Sequence, residues 1–357
     1  MAVDPSGTAP EGGSGTSYQP PRTVSRRGRT ALADRLVVLH RGILPHNAAG
    51  IESLADTVYA TEEELPHLLP GADTLLCWHS ITPAVEAAWP ADPSSAPGWV
   101  HVASAGVDSL LFPALVDNPR VVLTNSRGVY DRPIAEYVLG LILALAKDFP
   151  GTWEHQRRRE WRPRDSERID GRTVLVWGTG PIGRAVARLL RAVGMRVSAV
   201  GRTECAEDPD FGTVHALSGL RPALAAADYV VLAAPLTAAT RGMVDASVLA
   251  SMKPGARLVN VGRGGLVDEE ALVRHLTDGR LAGAALDVFA QEPLPAASPL
   301  WDLPGVIVSP HTAGEVTGWR DDLADLFLDN LTRRAEGREL RNVVDKERGY
   351  VREVRGG

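Results

Sequence analysis

Asp170-Gly-Arg-Thr-Val-Leu-Val-Trp-Gly-Thr-Gly-Pro-Ile-Gly183 decides the fold of this chain. Thr173 to Trp177 is a short apolar run. It ends in Gly178-Thr179-Gly180-Pro181-Ile182-Gly183, and an apolar-periodic helix follows from Ala185 to Val193. Strand, tight glycine turn and helix, in that order, are the context in which G-x-G-x-x-G binds a dinucleotide. Gly178 permits the turn, Gly180 lets backbone approach a pyrophosphate, and Gly183 lets the helix lie close on the strand. The helix N-terminus adds N–H groups and partial positive charge for the phosphates. Residues 178–183 are therefore the first cofactor-binding candidates.

The same alternation continues on both sides of the glycines. Upstream, strand-like runs stand at Arg35–His40, Thr74–Trp78, Trp99–Ala103 and Arg120–Thr124, with an acidic helix-like segment around Glu62–Leu69. A long helix is predicted from about Pro133 to Lys147, with proline in its first turn as helix starts prefer. Downstream, strand-like runs are Arg196–Val200, Tyr229–Ala234, Arg257–Val261, Ala284–Val288 and Val306–Ser309, separated by helical patterns at Asp245–Met252 and Glu269–Asp278. Nearly continuous apolar strands are those covered on both faces, and strand–helix alternation implies parallel pairing through crossovers. The amphipathic segment Trp319–Glu336 comes too late for the second sheet and is expected to pack back on the first.

Composition excludes several classes. At 357 residues, 44% apolar and 23% charged, the chain suits a soluble protein of two domains. A net charge of −6 gives no general pull toward nucleic acid or an anionic membrane. No apolar stretch reaches the ~20 residues needed to cross a bilayer. Cys77 and Cys205 are the only cysteines and lack ligand spacing, so neither a structural disulfide nor a metal site is expected, and a reducing cytoplasm fits. The first thirty residues, rich in Gly, Pro, Ser and Thr, read as a disordered extension without the apolar core of a secretory signal. The arginine run between Gln156 and Arg164 is balanced by Glu154 and Glu160 and reads as a solvated or inter-subunit segment.

An expected acid is missing. Dinucleotide folds of this kind usually place Asp or Glu ~20 residues past the glycines, on the ribose hydroxyls. Here the strand Val197-Ser-Ala-Val ends in Gly201, followed by Arg202 and Thr203. An acid would repel a 2′-phosphate, whereas a glycine makes room for one and an adjacent guanidinium can clamp it bidentately. NADP(H) is therefore the expected cofactor, with NAD(H) still open. The alternatives for Arg202 are stacking over the adenine or pointing to solvent.

Three further residues follow successive downstream strands: Arg263 in Asn260-Val-Gly-Arg-Gly-Gly-Leu-Val-Asp268, Glu292 after Leu286-Asp-Val-Phe-Ala-Gln, and His311 in Ser309-Pro-His311. Ligand crevices in parallel sheets lie outside the carboxyl ends of the strands, so these residues can converge despite their separation. A guanidinium can pin a carboxylate and polarise a carbonyl, and histidine can give or take a proton near neutral pH. A carboxylate beside the histidine fixes which nitrogen faces the substrate. Singly, each has an ordinary structural explanation; their joint placement favours catalysis.

With these motifs in order the chain resembles the D-isomer-specific 2-hydroxyacid dehydrogenase family, particularly its glyoxylate/hydroxypyruvate reductase-like branch. The resemblance runs from about Val100 to Gly314. It rests on Ser104-Ala-Gly-Val-Asp108, Asn125 with Ala135-Glu136, the Gly178 motif, Ala234-Pro-Leu-Thr237, Asn260 to Asp268, Ala285-Leu-Asp-Val-Phe289, Glu292-Pro-Leu-Pro295 and Ser309-Pro-His311. It implies an α/β architecture of two Rossmann-like or flavodoxin-like domains with parallel sheets and the active site in the interdomain cleft. The implied organisation is an extension (1–30), a substrate domain (31–127 plus 312–345), a dinucleotide-binding domain (128–311) and a C-terminal tail (346–357). Arg263, Glu292 and His311 become the implied catalytic set, with amides near Ala105 and Gly106 on the substrate carboxylate. Ala234, Pro235, Thr240, Val261, Asp287, His311 and Ala313 join the cofactor site, Asp287 at the nicotinamide carboxamide.

The resemblance further implies a small 2-oxoacid substrate and a homodimer formed through the cofactor domains. Trp153 or Trp161 would either close the partner's site or pack the interface. Two departures stand out: Gly201 in place of the frequent acid, and the N-terminal extension. Formate or phosphonate dehydrogenases of the family, and dinucleotide-sensing corepressors of the same fold, are the rival readings. Formate enzymes usually carry glutamine where this chain has Glu292.

Overall fold

In the computed structural model the described residues are 34–78 and 82–351. The predicted N-terminal extension and the last six residues lie outside them.

Two sheets carry the structure. The first is five-stranded and wholly parallel: β1 (Arg35–Leu39), β2 (Asp56–Ala60), β3 (Thr74–Cys77), β4 (Trp99–Val102) and β5 (Val122–Asn125), in the order β2-β1-β3-β4-β5. The second contains β6 (Thr173–Trp177), β7 (Arg196–Val200), β8 (Cys205–Asp208), β9 (Gly212–His215), β10 (Tyr229–Leu232), β11 (Arg257–Asn260), β12 (Gly283–Leu286) and β13 (Val306–Val308). Its order is β13-β12-β11-β10-β6-β7-β9-β8, parallel except for the β8–β9 hairpin. A small antiparallel pair, β14 (Val344–Asp345) and β15 (Tyr350–Val351), ends the described chain.

The central strands of both sheets are buried on two faces. In β6, Leu175 and Trp177 enter one apolar cluster while Val174 and Val176 enter the cluster on the opposite face. In β1, Val37 and Leu39 split from Leu36 and Val38 in the same way. Alternate side chains of a strand point to opposite faces, so a strand covered twice must be apolar throughout. Each such fully buried Val or Leu stabilises the fold by roughly 1.5–3 kcal/mol relative to exposure. The helix Trp319–Ala335 packs on the first sheet, where Phe327 stacks on Trp99 with ring centroids 5.3 Å apart.

The differences from the sequence reading lie at edges and termini. β2 was not predicted; most of it is only partly buried at a sheet edge, so it lacks a continuous apolar signature. The polar β8–β9 hairpin was missed for the same reason. The acidic segment at 62–69 yields only the turn Leu65–Leu68 as helix. The helix after the glycines begins at Pro181, not Ala185, because proline has its φ pre-set for a first helical position. Among the described residues no helix is long and apolar enough to cross a membrane, and no three His, Cys, Asp or Glu side chains group to hold a metal. Cys77 is buried and Cys205 exposed, both as free thiols.

Candidate active site

β6 lies where the strand order turns back on itself, with β10 on one side and β7 on the other. Open parallel sheets bind ligands at such switch points. The glycine turn is built for close approach. Gly178 has φ +127°, and a methyl group there would sit 2.6 Å from the Ala233 carbonyl. A methyl at Gly183 would lie 1.9 Å from the Gly178 oxygen, whereas one at Gly180 would meet nothing within 4 Å. Gly180 is thus the open face of the turn. It also caps the helix Pro181–Ala192 without a side-chain hydrogen bond, which leaves first-turn N–H groups for an anion. These residues fit a dinucleotide pyrophosphate.

The neighbouring loops complete that crevice. Thr240 Oγ1 receives the Thr237 N–H at 2.8 Å and donates to the Pro235 carbonyl at 2.7 Å, which stiffens the loop from Ala234 to Thr240. Ala234 and Val261 are buried, and a methyl at Gly262 would lie 3.0 Å from the Ala234 oxygen, so these two loops run tightly side by side. At the end of β7, a methyl on Gly201 would meet Thr179 at 2.9 Å and Val214 at 3.0 Å. Thr179 therefore fills the volume a side chain at 201 would need. Arg202 is exposed, and its guanidinium lies 4.8 Å over the Tyr350 ring.

Arg263 leaves the end of β11 on a turn folded by Asn260. The Asn260 amide donates to the Arg263 carbonyl at 3.1 Å, and its oxygen accepts from the Gly262 N–H at 3.1 Å. The guanidinium donates through Nε to Asp108 at 3.0 Å and through Nη1 to the Gly262 carbonyl at 2.9 Å. It lies flat against Gly106, where a methyl group would be 1.8 Å from Nη2. Ala105 adjoins it, its carbonyl held by the Asn125 amide at 2.6 Å. Tyr130 donates to the Ala103 carbonyl at 2.9 Å and packs where a side chain at Gly314 would stand. Burial, aided by the charge of Glu315, pushes its phenol up and keeps it a donor.

Glu292 accepts from the Phe289 N–H at 3.0 Å and meets His311 Nδ1 at 2.8 Å. Burial opposes ionisation of Glu292. The His311 hydrogen bond, the Phe289 amide and the charges of His311 and Arg263 outweigh it and hold the carboxyl below its ordinary range. An ionised carboxylate only accepts, so the proton between the two groups sits on His311 Nδ1. His311 adopts φ +57°, an uncommon region for a side-chain-bearing residue and often a mark of functional constraint.

Asp287 holds the loop in that shape. Nearly inaccessible, it accepts from Ser309 Oγ at 2.7 Å, the Thr312 N–H at 3.0 Å and the Ala313 N–H at 2.9 Å. Arg263 and the Glu292–His311 pair thus lie within one another's field, beside Ala105 and Gly106. Trp153 and Trp161 are elsewhere on the surface, largely exposed. Sequence reasoning gave no role to Asn260 and Asp108 as holders of Arg263, although both stand inside the quoted motifs. Contacts across a fold between short motifs leave no periodic signal.

The chain is similar to known proteins in both sequence and fold. Residues 139–313 match the family described as D-isomer specific 2-hydroxyacid dehydrogenase, NAD binding domain. Glyoxylate/hydroxypyruvate reductase B of Pectobacterium carotovorum is 36% identical over 251 residues, 68% of this chain and 78% of that protein. The (S)-sulfolactate dehydrogenase of Chromohalobacter salexigens is 39% identical over 235 residues, 65% of this chain and 75% of that protein. The structure of an NADPH-dependent glyoxylate/hydroxypyruvate reductase from Sinorhizobium meliloti, in complex with NADP and malonate, superposes with a TM-score of 0.75 at 29% identity. It covers 90% of this chain and 99% of its own.

Proposed function

Because the chain belongs to the D-isomer-specific 2-hydroxyacid dehydrogenase family and binds a nicotinamide dinucleotide, we propose that it is an NADPH-dependent reductase of glyoxylate or hydroxypyruvate. The carrying observation is the pairing of His311 with an ionised Glu292 in the field of Arg263. The bound dinucleotide supplies the hydride that reaches the substrate carbonyl carbon. Arg263 pins the substrate carboxylate through its forked donors and polarises the adjacent carbonyl. Amides at Ala105 and Gly106, which adjoin the guanidinium, hold the same carboxylate. His311, with Nδ1 committed to Glu292, delivers the proton to the carbonyl oxygen from Nε2 and takes it back in the reverse direction. Glu292 stabilises the imidazolium before transfer and keeps the ring from turning. The first sheet with the helix Trp319–Ala335, and the second sheet, act as two domains that close on the substrate and exclude water.

NADPH is favoured over NADH because Gly201, Arg202 and Thr203, not an acid, stand at the end of β7, and Arg202 pairs with no carboxylate among the described residues. The exposed aromatics Phe149, Trp153 and Trp161 are read as part of a homodimer face, so a dimeric mass in light scattering should fall to the monomer's in a Trp153→Asp/Trp161→Asp double variant. A panel of glyoxylate, hydroxypyruvate and a 3-sulfonated 2-oxoacid, followed by NADPH absorbance, tests the activity. Turnover of the first two is expected. Turnover of the sulfonated acid alone would reassign the substrate, and dinucleotide binding without turnover of any 2-oxoacid would overturn the catalytic reading in favour of a sensor.

A further inference from the structure

The C-terminal hairpin stands apart from the catalytic machinery yet touches the cofactor crevice twice. Its root belongs to the first sheet. Val343 bridges to Thr124, Val344 is buried in that sheet's core, and Val351 packs against the same cluster. Lys346 donates to the Leu115 carbonyl at 3.1 Å and the Asn118 carbonyl at 2.6 Å, while Arg127 donates to the Val351 carbonyl at 3.3 Å. The far end projects onto the second sheet. A methyl at Gly349 would lie 2.9 Å from Leu111 and 3.8 Å from Thr237. Tyr350 meets Arg202 in two ways: the ring lies under the guanidinium at 4.8 Å, and the phenol oxygen accepts from Arg202 Nη1.

Thr237 follows β10 and Arg202 follows β7, the strands on either side of β6. One short hairpin therefore spans the loops that flank the glycine turn. Arg202 has a further peculiarity: its partners are an aromatic face and a neutral hydroxyl. Arg184, on the helix after the glycines, is by contrast matched with Asp208 and Asp210. A guanidinium over an aromatic ring, unneutralised and adjoining Gly201, which abuts Thr179 of the glycine turn, is a prepared anion receptor. The phenol that accepts from Arg202 donates to no group among the described residues, so its hydrogen is available to the same anion.

We propose that residues 344–351 form a strap over the adenosine end of the cofactor crevice, and that Tyr350 acts with Arg202 to select a dinucleotide bearing a 2′-phosphate. The proposal rests on the NADPH reading and extends it to a residue nearly 150 positions from the arginine it serves. The Tyr350 ring keeps the guanidinium in place, and the hydroxyl adds a second donor. Because the strap is rooted on the first sheet, selection of the phosphate is tied to the placement of that sheet over the crevice.

Calorimetric titration of the full chain with 2′,5′-ADP and 5′-AMP tests this without any turnover. The parent protein should bind 2′,5′-ADP more tightly. Tyr350→Phe, which keeps the stacked ring, should weaken 2′,5′-ADP about tenfold and leave 5′-AMP unchanged, as expected for a lost hydrogen bond to a charged group. Tyr350→Ala should weaken it further, with a melting temperature recorded alongside to verify folding. If both variants bind 2′,5′-ADP as the parent does while Arg202→Ala loses the preference, the strap is wrong and the NADPH reading survives. If Tyr350→Ala weakens both nucleotides equally, the hairpin contacts adenosine without reading the phosphate, and the selective role is overturned. If the parent itself does not distinguish the nucleotides, the cofactor preference and the strap fall together.

Discussion

Replacing Gly106 by alanine isolates the placement of Arg263 from its chemistry. The added methyl would stand 1.8 Å from Nη2 and 2.8 Å from Cζ of Arg263, and 2.9 Å from the Asp108 carboxylate. Ordinary contact begins near 3.4 Å, so the guanidinium must retreat by about 1.5 Å. The obstructing atoms are the far end of a flexible side chain, not backbone, so the fold can absorb the change. Stability should stay within about 0.5 kcal/mol of the parent, as for a substitution outside the core. Catalysis should not. Misplacing a reacting group by about 1 Å can cost on the order of 100-fold. We expect kcat/KM for glyoxylate or hydroxypyruvate to fall by roughly that factor, with the Kd for NADPH unchanged and Tm preserved. Steady-state kinetics, fluorescence titration of NADPH and a thermal melt read the three quantities. Parent-like kcat/KM in a correctly folded Gly106→Ala protein would refute the claim that Arg263, in this position, engages the substrate.

Two other expectations concern the supports around the site. Asp287→Ala removes an acceptor of three hydrogen bonds and leaves the Thr312 and Ala313 N–H groups without it. Stability in urea should drop by about 3–5 kcal/mol and kcat should fall with it, since each of the two N–H groups left unsatisfied costs about 1–3 kcal/mol; a loss under about 1 kcal/mol would show that something else holds the His311 loop. His101 is fully buried between Thr124, Ser126 and Phe327, and burial depresses it to about 3. The folded protein thus keeps it neutral while the unfolded chain binds a proton below its ordinary value of 6.5. Its contribution is fully present above that pH and is lost as pH falls toward 3, so about 2 kcal/mol should disappear between pH 7 and pH 5. His101→Gln should flatten that loss, and an identical pH dependence in both proteins would remove the histidine as its source.

The parallel strands were legible because burial on two faces forces an apolar run: Thr173–Trp177 agrees in sequence and structure to the residue. The candidate site was legible because parallel sheets gather the carboxyl ends of their strands, so Arg263, Glu292 and His311 could be grouped without knowing any distance. What stayed hidden is chemistry without a local pattern. The edge strand at Asp56–Ala60 and the hairpin at 205–215 are held by pairing and not by apolar periodicity. Asp108 reaches Arg263 across 155 positions, and Tyr350 reaches Arg202 across 148. Gly201 illustrates a subtler limit. Its lack of a side chain reads as room for a phosphate, yet Thr179 and Val214 already crowd that space. In the proposed selection the phosphate is therefore read by Arg202 and its neighbours, not by a vacancy.

The most direct test of the mechanism is single-turnover oxidation of enzyme-bound NADPH by glyoxylate, comparing the parent with His311→Ala. The account predicts a chemical step slowed by at least about 100-fold, the usual scale for loss of a positioned acid, with NADPH affinity unaltered. A step as fast as the parent's would mean that the proton comes from elsewhere, and the assignment of His311 and Glu292 would be wrong.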